Sequence, residues 1–187
     1  DLITLQLNEG VVYMGQIEDD DDALDWVGIS ATRLNASVLR CWFGHRQDTP
    51  VHKIPSSIEE AMTELEEHGR TIMGGTHPGH TTDAVAVRLA AAVGAERCII
   101  ATNVSHVYST DPRLDPEAIR FDELTHDELI QIVGTEHRPG YSSVVDSVAA
   151  GVANDHHLEL CVLDGLHPER IGSALSGGTF EGTRIRS

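Results

Sequence analysis

Apolar positions in this chain recur with two different periods, and segments of the two kinds alternate along most of its length. In 29–44 (ISATRLNASVLRCWFG), Ile29, Leu34, Val38, Leu39 and Trp42 follow the helical repeat and Gly44 supplies a stop, which predicts a helix. The stretch 56–69 (SSIEEAMTELEEHG) predicts a second helix, with Ser57 at its N-cap, Glu60 three residues on and Gly69 past its end. RTIMGG at 70–75 reads as a short strand closing in glycines, and 76–95 as a loop running into an Ala/Val-rich helix. Unbroken apolar runs at 97–104 (RCIIATNV) and 158–165 (LELCVLDG) read as buried strands, and 178–187 as a terminal strand. Helical spacing returns at 124–134, 142–156 and 167–175. Residues 1–15 alternate only weakly, and the acidic run 18–25 (EDDDDALD) predicts a solvated loop, one aspartate of which caps the helix after it. Buried strands separated by helices indicate an α/β fold, a mainly parallel sheet covered on both faces. Nothing in the composition divides the chain, so one domain over 1–187 is expected.

Charge narrows the partners. Asp and Glu number 30 against 13 Lys and Arg, a formal net charge of −17. Such a surface repels phosphate backbones and anionic lipid, so nucleic acid polymers and membranes are poor partners. No apolar run reaches the roughly 20 residues of a membrane-spanning helix. Lys53 is the single lysine beside twelve arginines, and acid excess with lysine depletion points to a halophilic protein. Cys41, Cys98 and Cys161 lie far apart beside apolar residues and read as buried thiols in a reducing, cytoplasmic setting.

Candidate chemistry gathers at strand ends, where ligands of parallel sheets bind. In GGTHPGHTTDAVA (74–86) glycines bring backbone N–H groups close to an anion, and the following helix adds its positive N-terminal dipole. Thr81 and Thr82 suit capping or ligand contact, and Asp83 in the first turn suits the dipole or orients a cation. An ordinary strand–helix loop is an equally good reading of this stretch taken alone. His77 and His80 lack a third partner and helical spacing, so no metal site is expected. In 101–116 (ATNVSHVYSTDPRLDP), Thr102, Asn103, Tyr108 and Asp111 could hold a planar base, or form a polar turn. Asp25, Gly28, Thr32, Arg33 and Asn35 form a third candidate, with Arg33 either a phosphate ligand or a surface arginine. P-loop, Rossmann, nucleophile-elbow and HExxH motifs are absent.

In order and spacing, TRLNA (32–36), GGTHPGHTTDAVA (74–86), ATNV–VYSTDP (101–112), FDELTHDEL (121–129), SSVVDSVAA (142–150) and DG–HPERI (164–171) resemble the archaeal-type uridylate kinases of the amino-acid-kinase family, over about 22–187. The resemblance implies a three-layer αβα sandwich, transfer of the ATP γ-phosphoryl to UMP with Mg²⁺, and a homohexamer. It implies that Thr76, His77, Pro78, Gly79, His80, Thr81 and Thr82 bind UMP and that Asp25 holds its ribose. It likewise implies Thr102, Asn103, Tyr108 and Asp111 on the ATP side, and Asp83 as the catalytic carboxylate. The family's Lys-x-Gly-Gly-Ser strand and Gly-Gly-Gly turn have no counterpart, so an N-terminal strand is expected to be missing or replaced. Ser105-His106 stands where the family carries Asp-Gly. A nucleotide-binding homologue or assembly subunit without phosphotransfer is the alternative reading.

Overall fold

The computed structural model describes residues 21–44, 51–134 and 144–187, which form two compact units dividing between Thr82 and Asp83. The expectations for 1–15, for the start of the acidic run and for 142–143 fall outside the described residues.

The first unit holds α1 (Asp21–Gly44) and α2 (Ile58–His68). α1 begins earlier than its apolar spacing predicts, so Asp22 and Asp25 belong to the helix and not to a loop. Carboxylates at that end face the positive pole of the helix, which favours the extension. α2 carries the expected signals: Ser57 accepts from the Glu60 amide at 3.2 Å, and Gly69 takes φ 71° while donating to the Leu65 carbonyl at 2.8 Å. A side chain there would strain the backbone, which is why glycine ends this helix.

Residues 70–75 form no strand among the described residues, against the sequence expectation. Side chains of α1 hold the end of this segment. The Gly75 amide donates to the Thr32 hydroxyl at 2.7 Å, and the Arg33 guanidinium donates to the carbonyls of Gly75 and Thr76 at 2.9 and 2.8 Å. Another α1 arginine, Arg40, donates to the His52 carbonyl at 2.8 Å.

The second unit is built on β1 (Arg97–Thr102), β4 (Glu123–Thr125), β5 (Glu159–Asp164) and β6 (Thr183–Arg186), ordered β1-β5-β6-β4. β1 runs parallel to β5 and β4 parallel to β6, whereas β5 and β6 are antiparallel. The sheet is thus mainly parallel, as expected. A separate antiparallel pair joins β2 (Val107–Tyr108) to β3 (Arg120–Phe121), neither of which the sequence predicts as a strand. Helix α3 (Thr82–Ala92) leads into β1, α4 (His126–Val133) and α5 (Ser147–Asp155) precede β5, and α6 (Pro168–Leu175) follows it.

Alternation along β5 sorts the core onto two faces. Leu160 and Val162 join Val87 of α3, Leu129 of α4 and Ala149, Ala150 and Ala153 of α5. Cys161 and Leu163 join Ala174, with Ile171 and Phe180 packed against them. Helices therefore cover both faces of this sheet, the αβα layering of the sequence reading. The small side chains of α5 allow close approach, and each fully buried Leu or Val contributes about 1.5–3 kcal/mol. Arg97 donates to the carbonyls of Ala174 and Leu175 at 3.2 and 3.0 Å, and Arg184 to that of Gly178 at 2.7 Å. Cys98 and Cys161 are buried as expected, but Cys41 is exposed. It lies on α1, whose described residues bury only Ile29 and Ala36 closely. Among the described residues no helix is long and apolar enough to cross a membrane.

Candidate functional site

The first cluster belongs to the first unit and forms where α1 meets the segment ending at Thr82. Asp25, Gly28, Ile29 and Thr32 line one side of a cavity of about 210 Å³, with Gly75, His80 and Thr82 on the other. Asp25 reaches across it: its Oδ2 accepts from the Gly79 amide at 2.7 Å. Gly79 has φ 81°, a left-handed turn that presents the amide to the carboxylate. Gly74 is needed for closeness, because a Cβ there would lie 2.7 Å from the Arg33 nitrogen and 2.8 Å from the Thr32 carbonyl carbon.

Among the residues expected to hold UMP, Thr76 is buried at 6% exposure and its hydroxyl pairs with His80 Nδ1 at 3.1 Å. His77 is exposed, with its ring tilted against that of His80 at 4.1 Å between centroids. Pro78 is half-buried, whereas Gly79, Thr81 and Thr82 are exposed. Thr82 is also the first residue of α3. Asp25, His80 and Thr82 thus share one cavity, while Arg33 works beneath it. The guanidinium clasps the backbone of Gly75 and Thr76, a third role beside the two left open by the sequence. Lys53 lies elsewhere in this unit, 3.9 Å from Glu64 of α2.

The second cluster belongs to the second unit. Asp83, in the first turn of α3, is half-buried, and its carboxyl is pushed up to about 6, first by burial and then by the charge of Asp146. Asp146 caps α5, its Oδ1 accepting from the amides of Val148 and Ala149 at 2.8 and 2.9 Å. Two carboxylates at helix starts thus lie near enough for the charge of one to raise the pKa of the other. The sequence reading gives Asp146 no role, since nothing local places it near Asp83.

The third cluster lies at the carboxyl ends of β1 and β5. Thr102 ends β1 opposite Asp164, and its carbonyl accepts from the Gly165 amide at 2.9 Å. Asn103 follows, exposed. Tyr108 sits on the β2–β3 pair, opposite Arg120. The fully buried Thr183 of β6 fixes this pair, because its hydroxyl accepts from the Val107 amide at 2.8 Å and donates to the Phe121 carbonyl at 2.5 Å. Asp111 is engaged by Arg113, whose Nε and Nη2 donate to its two oxygens at 3.0 and 2.8 Å. That fork holds the Asp111 carboxyl below the usual carboxylate range. Arg113 thus accompanies Asp111 in anything this loop contacts. Ser105 and His106, noted in the sequence as a departure, lie next to Tyr108: Ser105 Oγ is 3.3 Å from the phenol oxygen and 2.9 Å from His106 Nδ1.

Residues 16–164 match the amino acid kinase family. The chain is 40% identical over 162 residues to the uridylate kinase of Methanocaldococcus jannaschii, covering 86% of this chain and 70% of that relative. It is 41% identical over 165 residues to the uridylate kinase of Natronomonas pharaonis, covering 88% of this chain and 70% of that one. The crystal structure of uridylate kinase from Archaeoglobus fulgidus aligns with a TM-score of 0.82 at 35% identity, covering 95% of this chain and 78% of the other.

Proposed function

The chain belongs to the amino acid kinase family, and from that premise we propose that it is a UMP kinase, moving the γ-phosphoryl group of ATP onto UMP to give UDP. The observation that carries this reading is the clasp between α1 and the loop before α3. Asp25, Thr32 and Arg33 together fix the loop backbone around a cavity whose rim ends at the start of a helix. In this reading Thr76, His77, Pro78, Gly79, His80, Thr81 and Thr82 bind UMP. The hydroxyls of Thr81 and Thr82 and the Thr82 amide that opens α3 take its phosphate, since a helix start carries about half a positive charge. Asp25 accepts from the ribose, the sugar hydroxyl sharing the carboxylate with the Gly79 amide.

ATP binds at the ends of β1 and on the β2–β3 pair. Tyr108 gives a face for the base, and Thr102, Asn103 and Asp111 give hydrogen bonds around it. Asp83 is the catalytic carboxylate. Its carboxyl, pushed up to about 6 by burial and by Asp146, is relieved when positive charge arrives with the nucleotide, and so orients that charge at the transferring group. Mg²⁺ would arrive on the nucleotide phosphates, with Asp83 as an attending carboxylate. That ion supplies neutralisation of charge on the phosphoryl oxygens. Homohexameric assembly is also part of the reading. It is supported by α1, along which Val27, Leu34, Val38 and Trp42 form an exposed apolar stripe.

The test is UDP formation from ATP, Mg²⁺ and UMP at molar salt, with CMP and AMP as competing acceptors. UMP should be preferred, and Asp25→Asn should raise KM for UMP about tenfold, as expected for a hydrogen bond to a charged group. Binding of UMP without turnover, by a folded protein, would refute the kinase reading.

A further inference from the structure

Beside the β2–β3 pair runs a chain of polar groups of which the kinase reading uses only Tyr108. His106 is 2% exposed, yet both its ring nitrogens face polar atoms. Nδ1 lies 2.9 Å from Ser105 Oγ, and Nε2 lies 3.4 Å from Asp122 Oδ1. Ser105 Oγ in turn lies 3.3 Å from the Tyr108 hydroxyl, and the His106 ring stands edge-on to the Tyr108 ring. Apart from glycines, only His157 among the described residues has positive φ, so the imidazole is held here without backbone strain.

The proton positions follow from the partners. Asp122 accepts only, so it selects the tautomer with hydrogen on Nε2, which leaves Nδ1 as an acceptor. Ser105 then donates to Nδ1, and its oxygen accepts from the Tyr108 hydroxyl. When His106 is protonated, Nδ1 becomes a donor to Ser105. The Ser105 hydrogen turns to the phenol oxygen, and the Tyr108 hydrogen is released outward. One proton on a buried ring thereby reverses the chain, changing the exposed end of Tyr108 from tied donor to free donor.

We infer that His106 is a positioning residue for ATP, setting through Ser105 the orientation and polarity of the Tyr108 hydroxyl. This rests on the reading that Tyr108 lies on the ATP side. The groups facing His106 are consistent with a ring that is neutral near pH 7. Burial lowers its pKa most, with Arg120 and Arg170 acting the same way, while Asp122 and Glu181 oppose them. Asp122 is also paired with Arg120 at 3.2 Å and Arg170 with Glu181, so neither carboxylate acts on the ring unscreened. The buried ring therefore works as an acceptor relay at neutral pH and converts in acid.

Steady-state UDP formation by the full chain, with ATP and UMP varied separately between about pH 5.5 and 8, tests this, alongside calorimetric titration of ATP. His106→Phe should raise KM for ATP about 3- to 10-fold at pH 7.5, leave KM for UMP and kcat in place, and flatten the acid limb of kcat/KM for ATP. His106→Asn, which can accept where Nδ1 does, should restore most of the KM without the acid limb. Ser105→Ala cuts the same chain without disturbing the core and should reproduce the KM change if the Phe variant does not fold. In a Tyr108→Phe background none of these substitutions should act further. An unchanged KM for ATP in Ser105→Ala, or a parallel fall in all parameters that Asn does not rescue, would overturn the relay alone. Wild-type protein that binds no ATP would overturn the functional reading and the relay with it.

Discussion

Replacing Asp83 by Asn should make the protein more stable and inactive. In the fold this carboxyl is pushed up from 3.8 to about 6, mainly because it is taken out of water and secondarily because Asp146 faces it. The folded state therefore keeps a proton that the unfolded chain has already released. The favourable contribution is complete below about pH 4 and is lost as pH rises through about 6, so at neutral pH the ionised group opposes folding. A shift of about two units corresponds to about 3 kcal/mol for a group wholly removed from solvent. Asp83 is only half-buried, and water's screening reduces this to about 1–2 kcal/mol. Denaturant titrations of wild type and Asp83→Asn across about pH 4 to 8 should superpose at the acid end and separate by that amount above pH 7. Asp146→Asn keeps a capping oxygen for Val148 and Ala149 but removes the charge, so it should recover less than half of the gap, burial being the larger cause. UDP formation by Asp83→Asn should fall at least about 100-fold. A variant no more stable than wild type at pH 7.5, or a gap that widens towards acid, would refute the reasoning.

Other outcomes follow from named contacts. Arg33→Lys cannot bridge the carbonyls of Gly75 and Thr76, so UMP affinity measured by calorimetry should fall about tenfold with a stability loss of about 1–2 kcal/mol. Gly74→Ala places a methyl group against the backbone of Thr32 and Arg33 and should lower stability by about 2 kcal/mol or more in denaturant titration. Thr183→Val leaves the Val107 amide and Phe121 carbonyl unpaired in the core, costing about 2–3 kcal/mol in thermal unfolding and weakening ATP more than UMP. Raising KCl from about 0.2 to 2 M should raise the unfolding midpoint, because screening relieves repulsion in a chain of net charge −17.

What the sequence revealed was local. Ser57, Glu60 and Gly69 announce α2 because caps are chemistry between near neighbours, and the apolar runs at 97–104 and 158–165 announce β1 and β5, which the structure bounds at 97–102 and 159–164, because strands covered on both faces favour unbroken apolar runs. What it concealed depended on distant partners. Residues 70–75 look like a strand, but the amide and carbonyl of Gly75 at their end are met by Thr32 and Arg33, some forty residues earlier. The β2–β3 pair is too short for periodicity, and its anchor, Thr183, lies 76 residues beyond Val107. Within the candidate site, Asp25, Thr76 and His80 were legible as a group only through a motif, whereas the neighbourhood of Asp83 and Asp146 required the folded chain.

Four of the twelve arginines make contacts that the charge total conceals. Arg33, Arg40, Arg97 and Arg184 aim guanidinium hydrogens at peptide oxygens, tying loops and helix ends to neighbouring elements. A guanidinium can hold two carbonyls at once in fixed geometry, and an ammonium group cannot, so lysine is no substitute at such positions. Such contacts are charge–dipole bonds at short range, part-buried at several of these sites, and dissolved ions weaken them far less than they weaken exposed ion pairs. In concentrated brine the same fasteners would hold while repulsion among the acidic residues faded. Scarcity of lysine and the way these loops are tied then go together, because the contacts made by these four arginines are ones that an ammonium group could not replace.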